Sequence, residues 1–277
     1  MLPQQMPFAV VARIVGESEH RCMEVCNRSV EMALGLGDFS GVTALAIDET
    51  SRARGHAYVT RAADVQARRV IFVNEGRDAK AIEPRVANLP AHGCLPEQIT
   101  SVNIDMSPAF IRGPSSELPN AQITFDKSHV IGHANAAVDK MRRSEQRTQT
   151  SLKGMRWELL RDVFGLRPEA GAALHRLITA PKRTLTARTW IFKGQLRDLL
   201  DRKQINVMRD SLLHWCVCVM RHKVKPIKEV AGLVRRHLEG IVARAQTPQT
   251  NGFLEAINGL FPAAKRRARG FSRLSSS

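Results

Sequence analysis

Residues 41–60, "GVTALAIDETSRARGHAYVT", carry an apolar run that ends on two adjacent acids, Asp48 and Glu49, followed by Arg52, Arg54 and His56. Two readings compete for this stretch. It is a polar turn joining two strands, or it is a buried strand delivering a carboxylate to hold a metal ion. Successive side chains of a strand point to opposite faces, so Asp48 and Glu49 do not serve one site together. Asp48 is the better candidate, because an acid beside a hydrophobic strand is costly unless a cation neutralises it.

The flanking sequence supplies partners for that strand. "VTALAID" (42–48), "HAYVTRA" (56–62) and "RRVIFVN" (68–74) are three β-rich runs close in sequence and predict an antiparallel meander. A helix-like stretch follows at 78–93, with Pro84 placed in its first turn. "QITSVNID" (98–105) predicts a fourth strand ending on Asp105. "SPAFIRGPSSELPN" (107–120) has Ser107 as a cap and Pro108 at the first helical position. "AQITFD" (121–126) predicts a fifth strand ending on Asp126.

Beyond Asp126 the period is helical. Val130, Ala134, Ala137, Val138 and Met141 share one face, and Lys140, Arg142, Arg143 and Arg147 lie largely on the other. Residues 150–245 read as several helices separated by Pro168, Pro181 and Pro226. A last helical pattern, "TNGFLEAINGLFPAAKRRARG" (250–270), is broken near its end by Pro262, and a loose tail follows. Before the first strand, residues 7–35 read as two short helices about Gly16. That is the outline of a helix-turn-helix, and of any helical hairpin.

Composition narrows the partners. The 277 residues hold 42 Lys plus Arg against 26 Asp plus Glu, a net charge of +16 and a pI near 10.5. Such an excess favours a polyanion, with nucleic acid ahead of anionic membrane. No run of about eighteen apolar residues crosses a bilayer, and the N-terminus has no basic segment before its apolar stretch. Five scattered cysteines fit a reducing cytosol rather than a disulfide framework. Cys22 and Cys26 stand four apart, and His214, Cys218 and His222 repeat at helical spacing. That spacing allows a zinc-binding face, but small thiols on a core face are the commoner outcome in so apolar a segment.

Asp48 and Asp105 each end a predicted strand. On neighbouring central strands, both would meet at one sheet edge, where a third carboxylate from a late helix completes a site for two divalent cations about 4 Å apart. Asp126 is the rival for the second position, and strand pattern alone does not separate it from Asp105. Asp at a strand end is also a common turn former or helix cap.

"AIDETSRARGHAYVT", "VNEGRD", "IDMSPAF", "PNAQITFDKSHV", "ANAAVDKMRR", "LKGMRW" and "TNGFLEAINGLFPAAKRRARGF" occur in this order over residues 46–271. Together they resemble the bacterial insertion-sequence transposases of the ISL-three group, which are DDE transposases. The resemblance implies an α/β, ribonuclease-H-like mixed sheet: three antiparallel strands, then two further strands with helices, interrupted by an all-α insertion. It implies a partial helix-turn-helix-like segment at 1–38, a first catalytic part at 39–149, the helical insertion at 150–245, a Glu-bearing helix at 246–271 and a tail at 272–277.

The resemblance also implies a catalytic, metal-binding triad of Asp48, Asp105 and Glu255, holding two Mg2+ (or Mn2+) ions. Asp126, His129, Asn251 and Asn258 become supporting residues around it. Arg142, Arg143, Lys265, Arg266, Arg267 and Arg269 become DNA contacts. The partners implied are transposon-end and target DNA, bound by a homo-oligomer in the cytoplasm at the nucleoid, with no membrane. Ser128 stands where the family carries an aromatic residue, Ala256 replaces a common Gly, and Pro262 replaces a polar residue. Family members extend beyond both ends of this chain, so it reads as a shortened copy. The competing expectations are a catalytically silent DNA-binding remnant and another ribonuclease-H-like nuclease.

Overall fold

A computed structural model describes residues 6–53, 57–76, 86–106, 111, 117–161 and 163–246. These form two compact units, which meet in sequence between Ile123 and Thr124.

The first unit opens with α1 (Phe8–Val15) and α2 (Glu19–Gly35). Gly16 closes α1 in the left-handed conformation, φ 74°, donating its N–H to the Ala12 carbonyl, a role that suits glycine. Ser18 then opens α2, its Oγ accepting the Arg21 N–H at 3.2 Å. The predicted break at Gly16 is therefore a C-cap followed at once by an N-cap. Val11 and Ala12 of α1 are buried, whereas α2 buries no residue and exposes Val25, Val30, Met32 and Leu34.

Five strands follow: β1 (Ala44–Ala53), β2 (Ala57–Asp64), β3 (Arg69–Glu75), β4 (Ser101–Ile104) and β5 (Gln122–Phe125). They make one sheet in the order β3-β2-β1-β4-β5. β1 with β2 and β2 with β3 are antiparallel, and β1 with β4 is parallel. This is the mixed α/β sheet of ribonuclease-H-like type expected from the sequence. One expectation is corrected: Asp48 does not end its strand. β1 runs on to Ala53, because β2 still pairs with it there, while β4 stops at Ile104. Asp48 thus sits where β1 loses one of its two neighbours.

The two faces of the sheet centre differ. Leu45 and Ile47 of β1 share one face with Val102 and Ile104 of β4, all at most 1% exposed. The other face carries Ala46, Asp48, Asn103, Ala63 and Arg61, so small and polar residues gather on one side. At the β2–β3 turn the buried Asp64 carboxylate accepts the N–H groups of Gln66 and Ala67. That is an acid serving as a turn former.

The second unit is helical: α3 (Lys127–Glu145), α4 (Arg156–Leu160), α5 (Pro168–Thr179), α6 (Leu185–Leu200), α7 (Ile205–Arg221), α8 (Lys225–Arg236) and α9 (Leu238–Gln246). Pro168 and Pro226 lie in the first turns of α5 and α8, where the missing N–H has no intrahelical partner to lose. Pro181 lies between α5 and α6. Val130, Ala134, Ala137 and Val138 are buried, as their period predicts. Through that face α3 packs on α6 and α8, which places it in the helical unit rather than with the strands. Glu145, in the last turn of α3, accepts the N–H groups of Leu185 and Thr186 and the Thr186 hydroxyl. It thereby caps the start of α6 from another helix. No helix among the described residues is long and apolar enough to cross a membrane.

Burial sorts the cysteines. It pushes the Cys216 thiol up to about 11, against a smaller opposing effect of Arg235. Burial also raises Cys94, reinforced by the Asp64 charge. The thiolate is the reactive form, so alkylation of the native protein at about pH 8 is expected at Cys22, Cys26 and Cys218, and at Cys94 and Cys216 only after denaturation. Mass spectrometry of labelled peptides checks this, and equal labelling of Cys216 in the native protein would contradict its packing.

Candidate metal centre and nucleic-acid surface

The site is built on strand register. Ala44 pairs with Ser101, Leu45 with Val102 and Ala46 with Asn103 in the parallel β1–β4 ladder. The ladder ends with that pair: Asp48 stands two residues further along β1, and Asp105 directly follows β4, two residues beyond Asn103. Residues in register share a face, and neighbouring strands lie about 4.8 Å apart. Both acids are half-buried. Asp48 Oδ1 accepts the Glu49 N–H at 2.8 Å, and Asp105 Oδ1 accepts the Met106 N–H at 2.6 Å. Glu49 belongs to the opposite face of β1, as strand alternation requires.

Carboxylates are hard oxygen donors, the chemistry that suits Mg2+ or Mn2+. Among the described residues no group of three His, Cys, Asp or Glu could hold a metal ion. Glu255, Asn251, Asn258, Lys265, Arg266, Arg267 and Arg269 lie outside the described residues.

Asp126 has a different occupation. It is the N-cap of α3, and its Oδ1 accepts the Ser128 N–H at 3.1 Å. Asp126 thus has a structural occupation at the start of α3. His129 stands half-buried in the first turn of the same helix.

Arg61 enters the site without having been singled out in the sequence. It is paired with Asp48 in the antiparallel β1–β2 ladder and is 1% exposed. Burial lowers its pKa, and the Asp48 charge opposes that effect. The signal was present: a cation inside "YVTRAAD", on a strand otherwise apolar or small, breaks the local rule that buried positions avoid charge.

The cationic helix face also sorts itself. Arg142 is buried, its guanidinium donating to Asp139 Oδ1 at 2.8 and 3.0 Å and to Gln146 Oε1. Arg143 is exposed, though one N–H lies 3.1 Å from Asp139 Oδ2. Lys140, Arg143, Ser144 and Arg147 line an open depression of about 570 Å³. A wider groove of about 1240 Å³ in the same unit has Arg183, Arg188, Arg202, His214 and His222 among its lining residues. Within it Cys218 Sγ lies 3.4 Å from His214 Nε2, while the His222 ring packs edge-on to Phe192 at 4.8 Å. The zinc-binding face does not form.

The transposase family model of the ISL3 (ISL-three) DDE group matches residues 45–276. The chain is 26% identical to the transposase for insertion sequence element IS1001 of Bordetella parapertussis, over 98% of this chain and 68% of that protein. It is 23% identical to the transposase for insertion sequence element IS1557 of Mycobacterium tuberculosis, over 95% of this chain and 61% of that protein.

The capping role of Asp126 is open to direct test. Asp126→Ala is expected to lower unfolding stability in urea by about 1 kcal/mol, with most of the loss restored in Asp126→Ser. Equal stability of Asp126→Ala and the parent chain would contradict the cap.

Proposed function

The chain belongs to the ISL3-group DDE transposase family, and from that premise we propose that it carries the catalytic machinery by which an insertion sequence is cut from and joined to DNA. The observation that carries this reading is the parallel β1–β4 ladder, whose last pair, Ala46 with Asn103, lies two residues before Asp48 and Asp105. Asp48, Asp105 and, from the resemblance, Glu255 are the residues that would hold the metal. Bound as a pair, Mg2+ or Mn2+ ions supply Lewis acidity to the attacking and leaving oxygens of an in-line phosphoryl displacement.

The chain's own part is placement. Asp48 lies within β1 and Asp105 directly follows β4, the neighbouring strand, and sheet elements hold a site more precisely than loops do. In the first step a water oxygen bonds to phosphorus at the element end and the 3′-oxygen leaves, taking a proton to become a free 3′-hydroxyl. In the second step that hydroxyl oxygen attacks a target phosphorus and displaces the target's own 3′-oxygen. No covalent protein nucleophile is required. DNA contact is assigned to Lys140 and Arg143 on α3 and to Arg147 just beyond its end, whose exposed cations line one depression. Arg142 holds that face through Asp139 rather than meeting DNA itself.

The test of the reaction uses labelled DNA bearing the cognate element ends, with Mn2+ or Mg2+. Metal-dependent nicking, followed by joining to target DNA, is expected, with both lost in Asp48→Asn and in Asp105→Asn. Nicking without joining would mark a nuclease, and binding without nicking a silent DNA-binding protein. For the surface, replacing Lys140, Arg143 and Arg147 together by Ala is expected to reduce the slope of log affinity against log salt by about 2 to 3. An unchanged slope would move the DNA path elsewhere.

A further inference from the structure

Of the three tryptophans in the chain, Trp215 is buried and Trp190 half-buried, whereas Trp157 is 58% exposed. An indole left in water is unfavourable unless a partner covers it. Trp157 stands on α4, and the neighbouring Leu159 fixes that short helix in place. Leu159 is fully buried with Val138 of α3 and Leu174 of α5, and its carbonyl accepts the Lys193 ammonium at 2.6 Å. Asp139 follows Val138, so the same packing brings Arg156 of α4 to that carboxylate.

Asp139 is buried and gathers three guanidiniums. Arg142 donates to its Oδ1 at 2.8 and 3.0 Å, Arg143 Nε lies 3.1 Å from Oδ2, and Arg156 Nε lies 3.8 Å from Oδ1. One carboxylate among three cations leaves this cluster positively charged. Arg142 is buried, but the Arg143 and Arg156 side chains are 64% and 53% exposed. Both approach Asp139 through Nε, and a guanidinium has further N–H groups in a fork that matches phosphate. The Arg156 guanidinium also lies 5.1 Å from the centre of the Trp157 ring, a cation over an aromatic face. Two surface cations are thus oriented by one buried acid, beside an exposed indole.

From this juxtaposition we propose that Arg143, Arg156 and Trp157 form a site for an unpaired nucleotide of DNA. The two guanidiniums grip its phosphate, and its base stacks on the indole. The proposal rests on the reading of DNA as the partner. A base inside a duplex is already stacked on its neighbours and has no free face for the indole, so the site selects single-stranded or frayed DNA. A protein surface would cover Trp157 equally well, but the positive charge held beside it favours phosphate.

Fluorescence anisotropy of the full chain tests this with two labelled probes, an oligodeoxythymidylate of about 20 nucleotides and a duplex of equal length. Trp157→Ala is expected to weaken single-strand binding about tenfold and to leave duplex binding unchanged. Trp157→Phe, which keeps an aromatic face, should recover most of the loss. Arg143→Ala and Arg156→Ala are each expected to weaken the single strand. Ultraviolet crosslinking of the parent chain to the same strand carrying 5-bromodeoxyuridine needs no variant, and mass spectrometry should find the attachment at Trp157. Unchanged single-strand affinity in Trp157→Ala, with crosslinks elsewhere, would overturn the proposal while leaving DNA as the partner. Equal losses on both probes would also overturn it, because the indole would then serve duplex binding or the fold. If self-association and not DNA binding is lost in Trp157→Ala, the indole belongs to a second copy of the chain and the proposal fails. Should the parent bind neither probe, the DNA reading itself fails and the proposal falls with it.

Discussion

Three residue pairs of parallel ladder, Ala44 with Ser101, Leu45 with Val102 and Ala46 with Asn103, set which faces of β1 and β4 lie on the same side of the sheet. A slip of one residue would turn either Asp48 or Asp105 to the opposite face of the sheet. The register is secured by the buried face behind it, where Leu45, Ile47, Val102 and Ile104 exclude water.

Not all of the excess positive charge faces outward. Arg61, Arg142 and Lys193 are buried and each works inside the fold. Arg142 binds Asp139 within α3, and the Lys193 ammonium donates to the Leu159 carbonyl at the end of α4. What remains for a polyanion is the exposed set, of which Lys140, Arg143 and Arg147 form one strip and the arginines of the α5–α7 groove another. Net charge announces a polyanionic partner, but only burial shows which cations are available to meet it.

Much of this was legible in the sequence. All five strands and the hairpin about Gly16 follow from alternation, caps and turn residues, which are local signals. Asp48 was readable as a candidate because an acid closing an apolar run conflicts with its surroundings. The cap that Asp126 makes to Ser128 was not readable, since Asp105 and Asp126 both follow a strand. Arg142 looked like a surface cation because helical period places it opposite the apolar stripe, yet a carboxylate one turn earlier draws it inward. Arg61 carries a comparable signal, since a cation in a central strand is as informative as an anion.

The central claim is that Asp48 and Asp105 share one divalent-cation site. Crystals of the chain grown with Mn2+ and measured at the manganese absorption edge test it most directly. An anomalous peak within coordination distance, about 2.2 Å, of one oxygen from each carboxylate is the expected result. A peak bound at Asp126 with none between Asp48 and Asp105 would contradict it.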